Sequence, residues 1–254
     1  MLRLHSFGPP DGRPVLALHG LAGHGRRFRQ LATEQLPHLR VHAPDLRAHG
    51  GSPTDPPWTL ARHVADIVAL LDGLGVDRLA VIGHSLGATV AVHLARRVPH
   101  RVSRLVLLAP ETGVPDEAIR AKIEYPTQTP VFDDPRAAAG ARAAHWPRTV
   151  AHLVPAEVED HLERGRDGRW RWRYLPEAVA ATRYELLQPA PTPPPGTPTL
   201  LVVAARDGAV SPEYVAVGQD ALGPRLSMVE LDCGHEIHLE RPAWTGALIR
   251  DFLA

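Results

Sequence analysis

The stretch Gly83-His84-Ser85-Leu86-Gly87 decides the fold of this chain. It follows the apolar run Leu79-Ala80-Val81-Ile82 and precedes a helix-forming run from Ala88 to Arg97. A G-x-S-x-G pattern between a strand and a helix predicts a nucleophile elbow, a sharp turn in which only glycines leave room for the neighbouring backbone. Such a turn lifts the serine hydroxyl out of the sheet and aims the first amides of the helix at a developing negative charge. The alternative is a buried turn serine, but the flanking strand and helix favour the nucleophile.

The composition excludes several classes of partner. The 254-residue chain carries 28 basic and 28 acidic residues, so no net charge attracts nucleic acid or anionic lipid. Its length fits one large α/β domain or one domain with an insertion. The lone Cys233 excludes an internal disulfide, and the first residues lack the apolar core of a signal peptide. We therefore expect a cytoplasmic monomer or homodimer that acts on a small molecule and binds neither nucleic acid nor a membrane.

Short apolar runs alternate with helical patterns along most of the chain. This alternation predicts an α/β fold with a mostly parallel central sheet flanked by helices. The apolar runs are residues 15–18, 39–43, 79–82, 105–108, 200–204 and 226–231. The helical patterns are residues 26–36, 60–74, 86–98, 212–222 and 242–252.

Residues 111–196 break this rhythm, because charged and aromatic stretches replace the buried strands. We interpret them as a helical cap inserted into a core formed by residues 1–110 and 197–254. The proline-rich stretch Pro189–Pro195 is typical of a stiff linker that returns the chain to the core. Trp146 and Trp170 are candidates for the wall of a substrate pocket, although the small core of the cap itself is an equally good place for them.

A serine nucleophile needs a histidine base, and the base needs a carboxylate to orient it. Asp207 comes just after the apolar run 199–204, and His235 follows the run 226–231. The order serine, acid, histidine is the one expected when loops meet at the carboxyl edge of a parallel sheet. Glu111, which also follows a strand, is the competing acid. Gly208 and the cap-forming Ser211-Pro212 favour the turn that contains Asp207.

An oxyanion hole requires two backbone donors. We predict the amides of Leu86, at the start of the helix, and of Leu21, in the glycine-rich loop after the strand 15–18. His19, His24 and His84 lie beside these two donors in the sequence and are candidate pocket residues. Bracing of the loop is the alternative role for His19 and His24.

Together these motifs resemble the α/β-hydrolase superfamily, in the branch that contains bacterial esterases, perhydrolases, enol-lactone hydrolases and C–C bond hydrolases. His19-Gly20 is similar to the oxyanion loop of the family. The stretch Asp45–Ser52 is similar to its Asp-x-Arg-Gly-His-Gly-x-Ser loop, with Ala48 in place of a glycine. The resemblance implies an α/β-hydrolase fold with a cap, and a triad of Ser85, Asp207 and His235.

The expected activity is hydrolysis of a small or medium, mostly uncharged carboxylic ester or lactone through an acyl-enzyme. C–C bond hydrolysis, perhydrolysis and non-catalytic ligand binding on the same scaffold remain alternatives. No cofactor or metal is expected. The glycines at 20, 23 and 25 are in the wrong order for a dinucleotide fingerprint, and His235 and His238 lack the spacing of a zincin helix.

Overall fold

The computed structural model describes residues 1–111, 130–186, 188 and 190–254. The strands, in chain order, are β1 Leu4–Phe7, β2 Arg13–Leu18, β3 Leu39–Pro44, β4 Leu79–His84, β5 Val102–Leu108, β6 Val131–Phe132, β7 Leu162–Arg164, β8 Trp170–Trp172, β9 Thr199–Ala204 and β10 Leu226–Leu231. The α-helices are α1 Leu60–Leu74, α2 Leu86–Arg97, α3 Pro135–His145, α4 Val154–His161, α5 Pro176–Glu185, α6 Pro212–Leu222, α7 Ile237–Glu240 and α8 Pro242–Leu253.

Seven strands form the central sheet, in the order β1-β3-β2-β4-β5-β9-β10. All neighbours are parallel except β1, which pairs antiparallel with β3 at one edge. Each of the six predicted apolar runs lies within one of these strands. The prediction of a mostly parallel sheet flanked by helices is therefore confirmed.

Side chains of β2 show why these strands are continuous apolar runs. Val15 and Ala17 contribute to one hydrophobic cluster, and the alternate residues Leu16 and Leu18 contribute to another. The first cluster includes residues of α8, whereas the second includes residues of α1 and α2. A strand covered on both faces must be apolar at every position, so alternation of polar and apolar residues disappears.

One predicted helix is wrong. Residues 26–36 form a 3₁₀ turn, Gly25–Phe28, followed by a π-helical turn, Leu31–Gln35, instead of one crossover α-helix. The Gly25 amide donates to the Asp45 carboxylate at 2.8 Å, and the Arg27 amide donates to the His24 carbonyl, which tightens the first turn. These local bonds replace the bonding pattern of a regular α-helix.

Residues 130–186, which we call the cap segment, contain more than the predicted helices. Besides α3, α4 and α5, they form a three-stranded antiparallel sheet in the order β6-β8-β7. A hairpin joins β7 to β8 through Gly165 and Gly168, and Gly168 has a φ of 79°. In β8, Trp170 and Trp172 lie on either side of Arg171, and Trp172 is buried. The sequence predicts a helical cap, and the structure adds this small sheet to the helices.

Backbone hydrogen bonds attach the cap segment to the core. The Gly50 amide donates to the Arg173 carbonyl at 2.7 Å, and the Leu175 amide donates to the Ala48 carbonyl at 2.9 Å. Residues 112–129, 187 and 189 of the predicted cap lie outside the described residues. Of the helices that the structure describes, none combines the length and apolar character needed to cross a bilayer.

We expect Gly87→Ala to lower the free energy of unfolding by about 2–3 kcal/mol, because an added Cβ overlaps the carbonyl oxygen of Leu18, which is fixed in the sheet. Gly140→Ala in α3 is the matched control. Nothing lies within 4 Å of its added Cβ, so it gains about 0.5–1 kcal/mol of helix stability. Urea unfolding of both variants measures the difference. Equal effects of the two substitutions would contradict this account of the close approach.

Candidate active site

Ser85 lies at the sharp turn between β4 and α2, as expected for an elbow. Its φ of 54° and ψ of −122° place a residue with a side chain in a region that glycine favours. The Ser85 amide donates to the Leu108 carbonyl of β5 at 3.0 Å, which fixes the turn against the sheet. A Cβ on Gly83 would lie 2.5 Å from Ala88 Cα, so the helix passes directly over the strand end.

His235 and Asp207 come together from two neighbouring loops at the same edge of the sheet. Asp207 follows β9, His235 follows β10, and His235 Nδ1 lies 2.7 Å from Asp207 Oδ2. Burial lowers the pKa of His235, but the hydrogen bond and charge of Asp207 outweigh it and raise that pKa above its usual value. With the Nδ1 proton donated to Asp207, Nε2 is the acceptor. This pair has the geometry of an oriented base.

His84, which directly precedes Ser85, contacts the loop that carries His235. Its Nε2 lies 2.9 Å from the carbonyl oxygen of His235, which can only accept, so Nε2 carries the proton. Its ring centroid lies 4.9 Å from that of His235. Burial lowers the pKa of His84 to about 4, so the ring is neutral near pH 7. His84 thus fixes the backbone of the His235 loop through this hydrogen bond.

The predicted oxyanion loop packs against the elbow. A Cβ on Gly20 would lie 3.1 Å from Ser85 Cβ, so Leu21 begins a turn directly beside the serine. His19 braces this loop, because its Nε2 accepts from the Leu46 amide at 2.8 Å and its Nδ1 donates to the Gly20 carbonyl. Leu86 is the first residue of α2. The oxyanion roles of Leu21 and Leu86 stay predictions.

The loop Asp45–Ser52 braces the same region. The Asp45 carboxylate accepts from the amides of Gly25 and Gly51 at 2.8 and 2.9 Å. His49 Nε2 accepts from the Ala22 amide at 3.1 Å, next to Leu21. Ala48 has a φ of 63°, where a glycine would bear less strain.

A cavity of about 680 Å³ lies between the core and the cap segment. On the core side it is lined by Leu21 and Ala22 of the oxyanion loop and by Glu236, which directly follows His235. The cap segment contributes aromatic walls that include Trp146 and Trp172. The cavity therefore adjoins the loops of the predicted oxyanion hole and base.

Of the five candidate pocket residues, only Trp146 is among those that line this cavity. His19 and His84 are bonded to backbone carbonyls within the loops. His24 is buried, and its Nε2 lies 2.9 Å from Glu157. Trp170 packs in the small sheet of the cap segment, in a cluster with Leu162. In each case, packing or hydrogen bonding within the protein holds the side chain away from the cavity wall.

A cluster of buried charges, which no motif in the sequence predicts, lies beside the cavity. Arg27 donates from Nη2 and Nε to the two carboxylate oxygens of Glu157, at 2.6 and 3.2 Å. Arg142 lies 3.4 Å from Glu157, and its guanidinium lies 4.3 Å from the ring centroid of Trp172. Arg27 also lies 3.6 Å from Glu236. Residues 27 and 157 are 130 positions apart, so no local pattern in the sequence indicates this pair.

One group of three described residues, His84, Glu236 and His238, has potential ligand atoms within 4.8 Å of one another. The guanidinium of Arg27 lies 3.6 Å from Glu236, so a cation there would meet a fixed positive charge. The rings of His84 and His238 pack against each other with centroids 4.7 Å apart. We therefore assign no metal to this group.

Comparisons with known proteins define the class. The family model described as alpha/beta hydrolase fold matches residues 13–242, so the chain belongs to the α/β-hydrolase family and is a hydrolase. It is 35% identical to Lipase LipV of Mycobacterium tuberculosis (strain ATCC 25618 / H37Rv), over 99% of this chain and 97% of that protein. The crystal structure of E-2-(acetamidomethylene)succinate hydrolase superposes with a TM-score of 0.87 at 24% identity, covering 98% of this chain and 94% of the other, and shares the fold.

We expect acid to destabilise this protein between about pH 6.5 and pH 4, because it buries neutral histidines. Burial lowers the pKa of His49, His63 and His84 to about 4, so the unfolded chain binds more protons in this range. Stability then rises with pH. His63, on α1, is fully buried with neither ring nitrogen bonded.

The variant His63→Leu tests this expectation. Its stability relative to the parent should increase by roughly 2–3 kcal/mol from pH 7.5 to pH 4, measured by urea unfolding. His100→Leu, at an exposed position, is the control and should show no such change. A pH dependence unchanged by His63→Leu would contradict the assignment of a buried neutral imidazole.

Proposed function

We propose that this hydrolase cleaves carboxylic esters through an acyl-enzyme, with Ser85 as nucleophile, His235 as general base and Asp207 as the orienting acid. The observation that carries the proposal is the 2.7 Å contact between His235 Nδ1 and Asp207 Oδ2, at the sheet edge where the strained Ser85 turn lies. It leaves Nε2 of His235 free to accept a proton.

The reaction runs in two steps. Ser85 Oγ attacks the carbonyl carbon while His235 Nε2 takes the hydroxyl proton, and the amides of Leu21 and Leu86 stabilise the oxyanion. His235 then returns the proton to the departing alkoxide, which leaves an acyl-enzyme. Water activated by the same histidine releases the acid and regenerates Ser85.

The cavity supports an uncharged substrate with an apolar acyl group. Its charged side chains have both signs, since Arg27, Arg142 and Arg183 are accompanied by Glu111 and Glu236. Trp146 and Trp172 give it aromatic walls. The relative named Lipase LipV agrees with such a substrate class. We therefore place the acyl group in this cavity.

We expect Ser85→Ala to lower kcat/KM for a p-nitrophenyl ester by at least about 10³-fold, because nucleophile and base act as a unit. Asp207→Asn should lower kcat by about 10⁴-fold, because the imidazole then adopts the wrong tautomer. Glu111→Gln, at the competing strand end, is the matched control and should cost far less. If Glu111→Gln loses activity while Asp207→Asn keeps it, the orienting acid is Glu111. If Ser85→Ala keeps its activity, the mechanism is refuted.

The two cap tryptophans provide a test of the acyl site. Trp146 lines the cavity, whereas Trp170 lies in the small sheet. We expect Trp146→Ala to change the ratio of kcat/KM between long-chain and short-chain p-nitrophenyl esters by roughly tenfold, because it enlarges the apolar pocket. Trp170→Ala should change melting temperature without changing that ratio. The acyl site lies elsewhere if both variants leave the ratio unchanged.

A further inference from the structure

Arg27 touches three separate parts of the molecule. It lies on the 3₁₀ turn Gly25–Phe28, just after the predicted oxyanion loop, and its side chain is only 6% exposed. Its Nε and Nη2 bind both oxygens of Glu157 on α4 of the cap segment. Its Nη1 lies 3.6 Å from Glu236 Oε1, in the loop of His235. One guanidinium thus connects the oxyanion loop, the cap segment and the loop of the base.

Burial makes this arrangement rigid. An unpaired ion in the interior is costly, so each of these charged groups is held where its partner lies. The planar fork of Arg27 fits the Glu157 carboxylate in a bidentate geometry, which fixes direction as well as distance. Glu157 also accepts from His24 at 2.9 Å, so this carboxylate cannot turn away from Arg27.

We propose that Arg27 and Glu236 are positioning residues for the general base. Arg27 pairs with the carboxylate of Glu236, the residue that directly follows His235, and the negative charge of this carboxylate favours the imidazolium that forms during the reaction. Glu157 ties the same guanidinium to the cap segment, so the substrate cavity and the base are positioned together. This inference rests on the proposed function, because it concerns the base of that reaction.

The charges around both groups agree with this role. His235 faces the carboxylates of Asp207, Glu236 and Glu111, all of which raise its pKa against the effect of burial, and it packs on the neutral ring of His84. Burial raises the pKa of Glu236, but the charge of Arg27 outweighs it and, with smaller contributions from the surrounding histidines, lowers that pKa to about 2. Those histidines are His84, His235 and His238. Glu236 is therefore ionised throughout the working range of the base.

The near-isosteric variant Glu236→Gln tests the electrostatic part. The acidic limb of kcat/KM against pH reports the pKa of His235 in the free enzyme. Loss of the negative charge lowers that pKa, so the limb should move to lower pH by roughly one unit. A purely structural role would lower activity without moving the limb. Product from a p-nitrophenyl ester is quantified by chromatography, so that ionisation of the phenol does not affect the assay.

Asp232→Asn is the matched control, because Asp232 lies in the same loop but is exposed and paired with Arg206 at 2.6 Å. The acidic limb of kcat/KM against pH for Asp232→Asn should coincide with that of the parent. If the limb of Glu236→Gln also coincides with the parent while Ser85→Ala is inactive, this inference is wrong and the proposed function stands. An active Ser85→Ala instead refutes the proposed function itself.

Arg27→Lys tests the positioning part if Glu236→Gln does not fold. Lysine keeps the positive charge but loses the fork, so we expect kcat to fall by roughly tenfold as the base is displaced. Arg29→Lys is the control, because Arg29 lies beside the same turn, is half exposed and contacts Asp160 instead. Equal kcat values for the two variants would overturn the inference.

Discussion

The close approach of α2 to the end of β2 is the constraint on which the site depends. Gly87 lies so near the carbonyl of Leu18 that no side chain fits between them. This contact sets the direction in which the helix leaves β4, and so the position of Ser85. It also places the loop after β2 beside the elbow, because that loop begins at the same carbonyl. The relative positions of Ser85 and of the loop after β2 thus depend on a single backbone contact.

The second level of organisation is electrostatic. Buried ions of both signs lie where the core meets the cap segment. Arg27 of the core pairs with Glu157 of the cap segment. Glu236 of the core lies near Arg27, and Arg142 of the cap segment lies near Glu157. In a medium of low dielectric, such groups are stable only when their charges compensate. His161 and His238 stay neutral because burial lowers their pKa values. The Arg27–Glu157 pair therefore ties the cap segment to the core, beside the apolar cluster that Trp146 and Val150 form with Leu239.

The sequence predicts those features that depend on local patterns. A parallel strand buried on both faces is a continuous apolar run, which is why β4 and the second half of β5 are evident. Asp207 and His235 are found because each directly follows such a run. The pairing of Arg27 with Glu157 is invisible, because charged residues are usually exposed and these two are 130 positions apart. The short β8 was missed because three residues give too little alternation to distinguish a strand from a loop.

Because Ser85 has a φ of 54°, substitutions there can distinguish the effect of its hydroxyl group from the effect of its strained backbone. With ψ at −122°, this conformation is sparsely populated and costs a residue with a Cβ on the order of 1–3 kcal/mol, which glycine largely avoids. Ser85→Ala keeps the Cβ and the strain while removing the hydroxyl, whereas Ser85→Gly removes both. The difference in stability between these two variants therefore combines the conformational energy stored at position 85 with the larger entropy that glycine has in the unfolded chain.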